Sequence, residues 1–360
     1  MRFFTIISFL LLFFACKKSS TTPLNNTQTD LYFPPITGNT WQTKSASSLG
    51  WNESEINNLY TYLQQKNTKA FIILKNGEIV IEKYFGTFTQ DSAWYWASAG
   101  KTLTAFLVGI AQQEGLLNIN QRSSQYLGTG FTSLPLAKEN LITIKHQLTM
   151  TTGLDDGVAI DDCTLPACLQ FKADAGTRWA YHNAPYTLLD KVIENATGKS
   201  YNAFFQEKIA SQIGMKGVWL PNGTFNNIMY SNARSMARFG LLLLNKGTWS
   251  SSTILRDSDF FDSQINSSQT INPSYGYLTW LNGKSSYILP STQFVFTGML
   301  TPNAPADMYA ALGKNDQKIY VVPSQKIVVI RMGESAGNSQ LALSSFDNEL
   351  WGKLKLVMKF

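Results

Sequence analysis

Histidine is nearly absent from this chain, with 2 in 360 residues, His146 and His182. A Ser-His-Asp hydrolase needs one of them as its base. His146 sits in an apolar stretch and reads as structural, while His182 points to the opposite side from its neighbours Tyr181 and Asn183. An α/β-hydrolase with a nucleophile elbow is therefore not expected. Cysteine is also scarce, at 3 residues, and forms no Cys-x-x-Cys pair, nor is there a His-Glu-x-x-His. No zinc site is expected, and no metal or other cofactor. Charged residues make up only 15% of the chain, and its 30 basic and 24 acidic side chains are scattered without a basic run. The net charge of +6 thus gives no footprint for nucleic acid. The one long hydrophobic run, residues 3–14, is too short to span a bilayer with ordinary flanks.

What the chain does hold is apolar and aromatic mass, 44% and 13%, enough for a large core. At its start, Arg2, the apolar run and the small Ala15 before Cys16 have the form of an export signal over residues 1–15. The segment resembles a bacterial lipoprotein signal. That resemblance implies Cys16 as the acylated residue and a protein held on a membrane of the cell envelope, in the periplasm or at the surface, through its lipid. Residues 16–46, rich in Ser, Thr, Asn and Pro, read as a flexible tether, with the folded domain over 47–360. The remaining cysteines, Cys163 and Cys168, fit a local disulfide in an oxidising compartment or two free thiols equally well.

Asn52-Glu53-Ser54-Glu55 predicts a helix start, and Asn76-Gly77 between two β-rich runs predicts a hairpin. Helical patterns dominate an insertion over about 115–235, including one at residues 149–154 before Gly153 closes it. Further helices are expected at 186–196 and 231–245. Strand character returns at 275–281, 287–289, 308–312, 318–322 and 326–332, and a helix from about 341 to 359 ends the chain. The expected class is α+β: an antiparallel sheet from the N- and C-terminal segments, flanked by helices, with a mainly helical region inserted.

The stretch that organises this scheme is 94–115. Leu103, Phe106, Leu107 and Ile110 recur at helical spacing, while Ser98 and Lys101, three apart, share another face. A serine hydroxyl becomes a nucleophile when a neighbouring base takes its proton. A lysine serves if burial lowers its pKa, and Trp94, Tyr95 and Trp96 before the helix predict that burial. Further on, Tyr181 and Asn183 project the same way from one segment, offering a phenol to relay a proton and an amide to hold a carbonyl and the lysine.

With Ser98-Ala99-Gly100-Lys101 and Tyr181-His182-Asn183, the chain resembles the serine hydrolases that include penicillin-binding proteins, class C β-lactamases, related esterases and nylon-oligomer hydrolases. The surrounding Leu148-Thr149-Met150-Thr151-Thr152-Gly153 and Ala175-Gly176-Thr177-Arg178-Trp179 fit as well, and the likeness runs from about residue 49 to the end. The resemblance implies Ser98 as the acylated nucleophile, Lys101 and Tyr181 as its proton network, and Asn183 as a ligand of substrate and lysine. It implies the Ser98 N–H as one oxyanion donor. The family's third motif falls at Ala311-Leu312-Gly313, making the Lys314 N–H the second donor. Ala311 has no charge where many β-lactamases and peptidases grip a substrate carboxylate. The expected activity is therefore hydrolysis of a small ester or amide rather than of penicillins. A non-catalytic binding or sensor protein on the same fold is the alternative.

Overall fold

Every residue from Ala70 to Leu74 is buried, so this strand is covered on both faces and lies inside the molecule rather than at its surface. The computed structural model describes Met1, residues 31–337 and residues 343–360. The expected export signal and Cys16 lie outside the described residues. Helix α1 (Ser54–Gln65) leads into β1 (Thr68–Lys75) and β2 (Glu78–Tyr84), followed by the short β3 (Trp94–Tyr95) and helix α2 (Gly100–Gln113). The inserted region supplies α3 (Ile144–Leu148), α4 (Asn183–Thr197), the hairpin β4 (Gly217–Asn222) and β5 (Asn226–Ser231), and α5 (Ala233–Leu244). Strand β6 (Trp280–Leu281), the hairpin β7 (Ser286–Ile288) and β8 (Val295–Thr297), then β9 (Tyr309–Gly313), β10 (Gln317–Val322), β11 (Ile327–Gly333) and α6 (Ser345–Met358) complete the order.

The sheet has the strand order β2-β1-β11-β10-β9-β6. Its N-terminal hairpin joins the C-terminal strands through the antiparallel pairing of β1 with β11, with Ile72 opposite Ile330. Asn76 and Gly77 turn that hairpin with positive φ at both, 52° and 84°, as a type I′ turn requires. Helix α5 packs on β1, β10 and β11, while α1 packs on α6 and β1. This is the expected α+β arrangement. Among the described residues, no helix is long and apolar enough to cross a membrane.

Three expectations need correction. The stretch read as tether already belongs to the folded body over residues 31–46. The Trp41 indole donates to Gly77 O at 2.8 Å, Tyr32 N donates to Asn76 O at 2.9 Å, and Thr43 bridges Ile79 in parallel at the edge of β2. Its polar average hid Leu31, Tyr32, Phe33 and Trp41, whose apolar surface packs against the core. Residues 149–154 are not helical, because α3 stops at Leu148. There the β-branched Thr149 and Thr151 bond to each other at 2.7 Å, and Met150 and Gly153 take positive φ of 58° and 76°. The inserted region is also less purely helical than expected, since β3, β5 and β4 form a second, three-stranded sheet. Trp94 pairs with Ser231 in it, which anchors the chain just before Ser98.

Candidate active site

Helix α2 is buried at every position from Gly100 to Ala111, as a helix apolar on both sides should be. Its first regular turn begins two residues after Ser98, which lies in a tight 3₁₀ turn, Ala97–Ala99, at the helix entrance. Ala97, immediately before the serine, is held at φ 46°, a left-handed conformation that costs about 1 kcal/mol for a residue with a Cβ. The strain places the Ser98 hydroxyl at the head of α2, pointing toward the lysine one turn along.

Lys101 is only 2% exposed, and its ammonium-bearing Nζ donates to Asn183 Oδ1 at 2.8 Å and to Ser98 Oγ at 3.3 Å. The same nitrogen lies 3.8 Å from the centre of the Tyr186 ring and 5.3 Å from that of Tyr181. The Tyr181 hydroxyl lies near that of Ser98, whose influence favours its ionised form. Its ring stacks on Trp280 at 5.8 Å and 19°, within a cluster that includes Trp179 and Tyr275. The structure therefore brings Ser98, Lys101, Tyr181 and Asn183 together, although 82 residues separate the lysine from the asparagine. Trp280 is core beneath the tyrosine, at 2% exposure.

Electrostatics divides the labour between the two titrating groups. Burial lowers the Lys101 pKa to about 7, against the pull of Asp161, Asp190 and Asp162, which favour its charged form. Burial also raises the Tyr181 phenol well above its ordinary value, with the nearby Ser98 hydroxyl opposing. Near neutrality the amine can thus be free to accept a proton, while the phenol holds its own. A second buried acid lies below. Desolvation pushes Asp190 up to about 7, while its bond from the Asn227 amide, at 2.9 Å, and the charge of Lys101 favour its ionised form. His182 is buried with neither ring nitrogen hydrogen-bonded, so it makes no contact through which it could take the Ser98 proton, and burial lowers its pKa.

The third motif arrives from the sheet. A Cβ built on Gly313 would sit 2.3 Å from Trp96 O and 2.9 Å from Ala99 N, so β9 touches backbone on both sides of Ser98. Only glycine permits that approach, and Lys314 follows it, with an exposed side chain, at the end of the strand. The turn after it carries positive φ at Asn315 and Asp316 and is fixed from beneath. Arg331 donates to Asn315 O at 2.9 Å and Asp316 O at 3.0 Å, and Ser344 Oγ donates to the Asp316 carboxylate at 2.7 Å. Gly313→Val is expected to destabilise the protein by more than about 2 kcal/mol in a urea unfolding series, because neither backbone neighbour can withdraw. Unchanged stability would mean that the close approach is not maintained.

Two features escape motif reading. Asp161 accepts from Asn183 Nδ2 at 2.7 Å, and Tyr186 supplies the ring over which Lys101 lies. Tyr186 stands three residues after Asn183, one turn along α4, which is the one sequence signal available for it. A Gly-x-Ser-x-Gly does occur, as Gly333-Glu334-Ser335-Ala336-Gly337, but not as a nucleophile elbow. The next helix starts only at Ser345, and the Ser335 hydroxyl donates to Gly337 O at 2.7 Å. Asp155 and Asp156 pair with Lys172 and Arg178. Cys163 and Cys168 form a disulfide. Among the described residues, no group of His, Cys, Asp and Glu is placed to hold a metal ion.

The family model described as Beta-lactamase matches residues 61–347, which include all of these groups. The chain belongs to the Beta-lactamase family. An uncharacterised protein of Alkalihalophilus pseudofirmus is 24% identical over 307 residues, covering 75% of this chain and 85% of that one. Protein flp of Staphylococcus aureus is 25% identical over 167 residues, 41% of this Beta-lactamase family chain and 33% of flp. Among solved structures, the "putative 6-aminohexanoate-dimer hydrolase" from Bacillus anthracis superposes with a TM-score of 0.68 at 19% identity, covering 93% of this chain and 98% of that one. The penicillin-binding protein homologue from Caulobacter crescentus gives 0.63 at 13% identity, covering 85% and 98%. At such identities, these likenesses establish the β-lactamase and transpeptidase-like fold.

Proposed function

We propose that this family member is a serine hydrolase that cleaves a small ester or amide through an acyl-enzyme on Ser98. The observation that carries the reading is a buried Lys101, its pKa lowered by burial to about 7, within hydrogen-bond reach of the Ser98 hydroxyl. In the first step Ser98 Oγ bonds to the substrate carbonyl carbon as its proton passes to Lys101 Nζ. The carbonyl oxygen takes the negative charge, facing the N–H groups of Ser98 and Lys314. Collapse breaks the bond to the leaving alcohol or amine, which receives a proton through the Lys101 and Tyr181 pair. Water then enters, gives a proton to the same pair and releases the acid, restoring Ser98. Asn183, bonded to the lysine through Oδ1 and to Asp161 through Nδ2, offers its second Nδ2 hydrogen to the substrate.

Ester and amide substrates are favoured over penicillins because Ala311 is buried and uncharged where a carboxylate would need a cation. Export to the cell envelope and lipid attachment at Cys16 belong to the same proposal. They are supported by the signal-like start, and a disulfide suits an oxidising compartment. A fluorophosphonate probe is expected to attach to Ser98 at one per chain, located by peptide mass spectrometry, and 4-nitrophenyl butyrate should be turned over many times. Label on another residue, or a single acylation without release, would overturn the reading, the latter in favour of a sensor.

A further inference from the structure

Asn183 can help Ser98 only if its amide faces one way round. With Oδ1 toward Lys101, as found, a neutral amine spends an N–H on that oxygen and keeps its lone pair for the Ser98 proton. With the amide turned over, Nδ2 would donate into that lone pair and the base would be lost. Something must therefore distinguish the two ends of the amide. On its far side, Nδ2 donates to Asp161 Oδ2 at 2.7 Å, and a carboxylate, which only accepts, cannot serve the reversed amide.

Asp161 is in turn held by its own loop. Its carbonyl accepts from Ala184 N at 2.8 Å, so the residue bonds to the start of α4 by both backbone and side chain. Two residues on, Cys163 N donates to Ile160 O at 3.1 Å, and the Cys163–Cys168 disulfide closes the turn that follows. We propose that Asp161, on its disulfide-closed loop, is a positioning residue that fixes the Asn183 amide and keeps the Lys101 lone pair aimed at Ser98. This inference rests on the hydrolase reading above.

Lys101 is faced by Asp161 and Asp162 from this loop, by Asp190 and Tyr186 from α4, by Tyr181, and by Ser98. Of the acids, Asp161 does most to favour its charged form. Removing that charge lets Lys101 lose its proton at lower pH. The side chain of Asp161 is exposed, so it can be replaced without opening the core.

Two variants separate orientation from charge, with 4-nitrophenyl butyrate as probe and pH profiles of kcat/KM as readout. Asp161→Asn offers either an oxygen to Nδ2 or, turned over, a donor to the reversed amide, so its plateau should fall severalfold, less than in Asp161→Ala, while the ascending limb moves down by about half a pH unit or more. Asp161→Ala removes the acceptor as well, and its plateau should fall tenfold or more, on the order seen when a group orienting a catalytic ligand is lost. Plateaus and limbs of both variants that coincide with wild type overturn the proposal. So does equal loss of plateau in Asn and Ala with no movement of the limb, the signature of a purely structural role. Should Asp161→Ala not fold, the plateau of Asp161→Asn decides alone: equal to wild type, it overturns the proposal. Wild-type turnover that survives Ser98→Ala would instead sink the hydrolase reading, so the two failures are distinguishable.

Discussion

Ser98→Ala is expected to lower kcat/KM toward 4-nitrophenyl butyrate by about four orders of magnitude or more, with little change in thermal midpoint. The asymmetry follows from what the hydroxyl does. In the proposed reaction it is the atom that bonds to the substrate, and no second nucleophile shares its position between Lys101 and Tyr181. Its contribution to stability is a hydrogen bond from a lysine at 3.3 Å, worth about 1 kcal/mol at most. The backbone N–H of residue 98, the proposed oxyanion donor, is retained, so substrate is still expected to dock. A variant within tenfold of wild type would remove Ser98 from the reaction, whatever its neighbours.

Much of this was legible because the residues concerned carry periodicity or a fixed spacing. The apolar rhythm from Leu103 to Ile110 made a helix, and a lysine three residues after a serine could then only stand beside it. The hairpin at Asn76-Gly77 was readable from turn chemistry alone. What stayed hidden depends on contacts between distant segments. Asp161 lies in a loop without periodicity, and its partner Asn183 is 22 residues away. The pairing of Trp94 with Ser231 rests on β3, a strand of two residues, too short to show alternation. Residues 31–46 failed for the opposite reason. Composition averaged over a polar stretch conceals the few aromatic side chains that bind it to a sheet edge. Gly313 was placed through the resemblance, while the reason only glycine fits there, the carbonyl of Trp96, appears in three dimensions alone.

Lys101→Met should abolish most turnover and at the same time stabilise the fold, and the pH at which each effect is seen identifies the amine as their common source. In wild type the unfolded chain holds the lysine proton up to its ordinary 10.5, whereas the folded protein releases it above about 7. Between those values the unfolded state binds more protons, so wild-type stability rises with pH across this window. At pH 7 and below, the fold carries the full penalty of a buried charge, on the order of 5 kcal/mol. Methionine fills nearly the same volume without that charge. It leaves Asn183 Oδ1 unpaired, an opposing loss of about 1–3 kcal/mol. A net gain of about 2 kcal/mol is therefore expected at pH 6, shrinking toward zero or reversing near pH 10, measurable as denaturant midpoints across a pH series. Activity should show the mirror image. Wild-type kcat/KM climbs through about pH 7 as the amine becomes free, and the methionine variant, at least about a thousandfold slower, loses that limb. If the variant keeps the limb, some other group is the base. If it is less stable than wild type at pH 6, the amine is not held in its neutral form by burial, and the strained placement of a lysine beside Ser98 is not where this enzyme stores its reactivity.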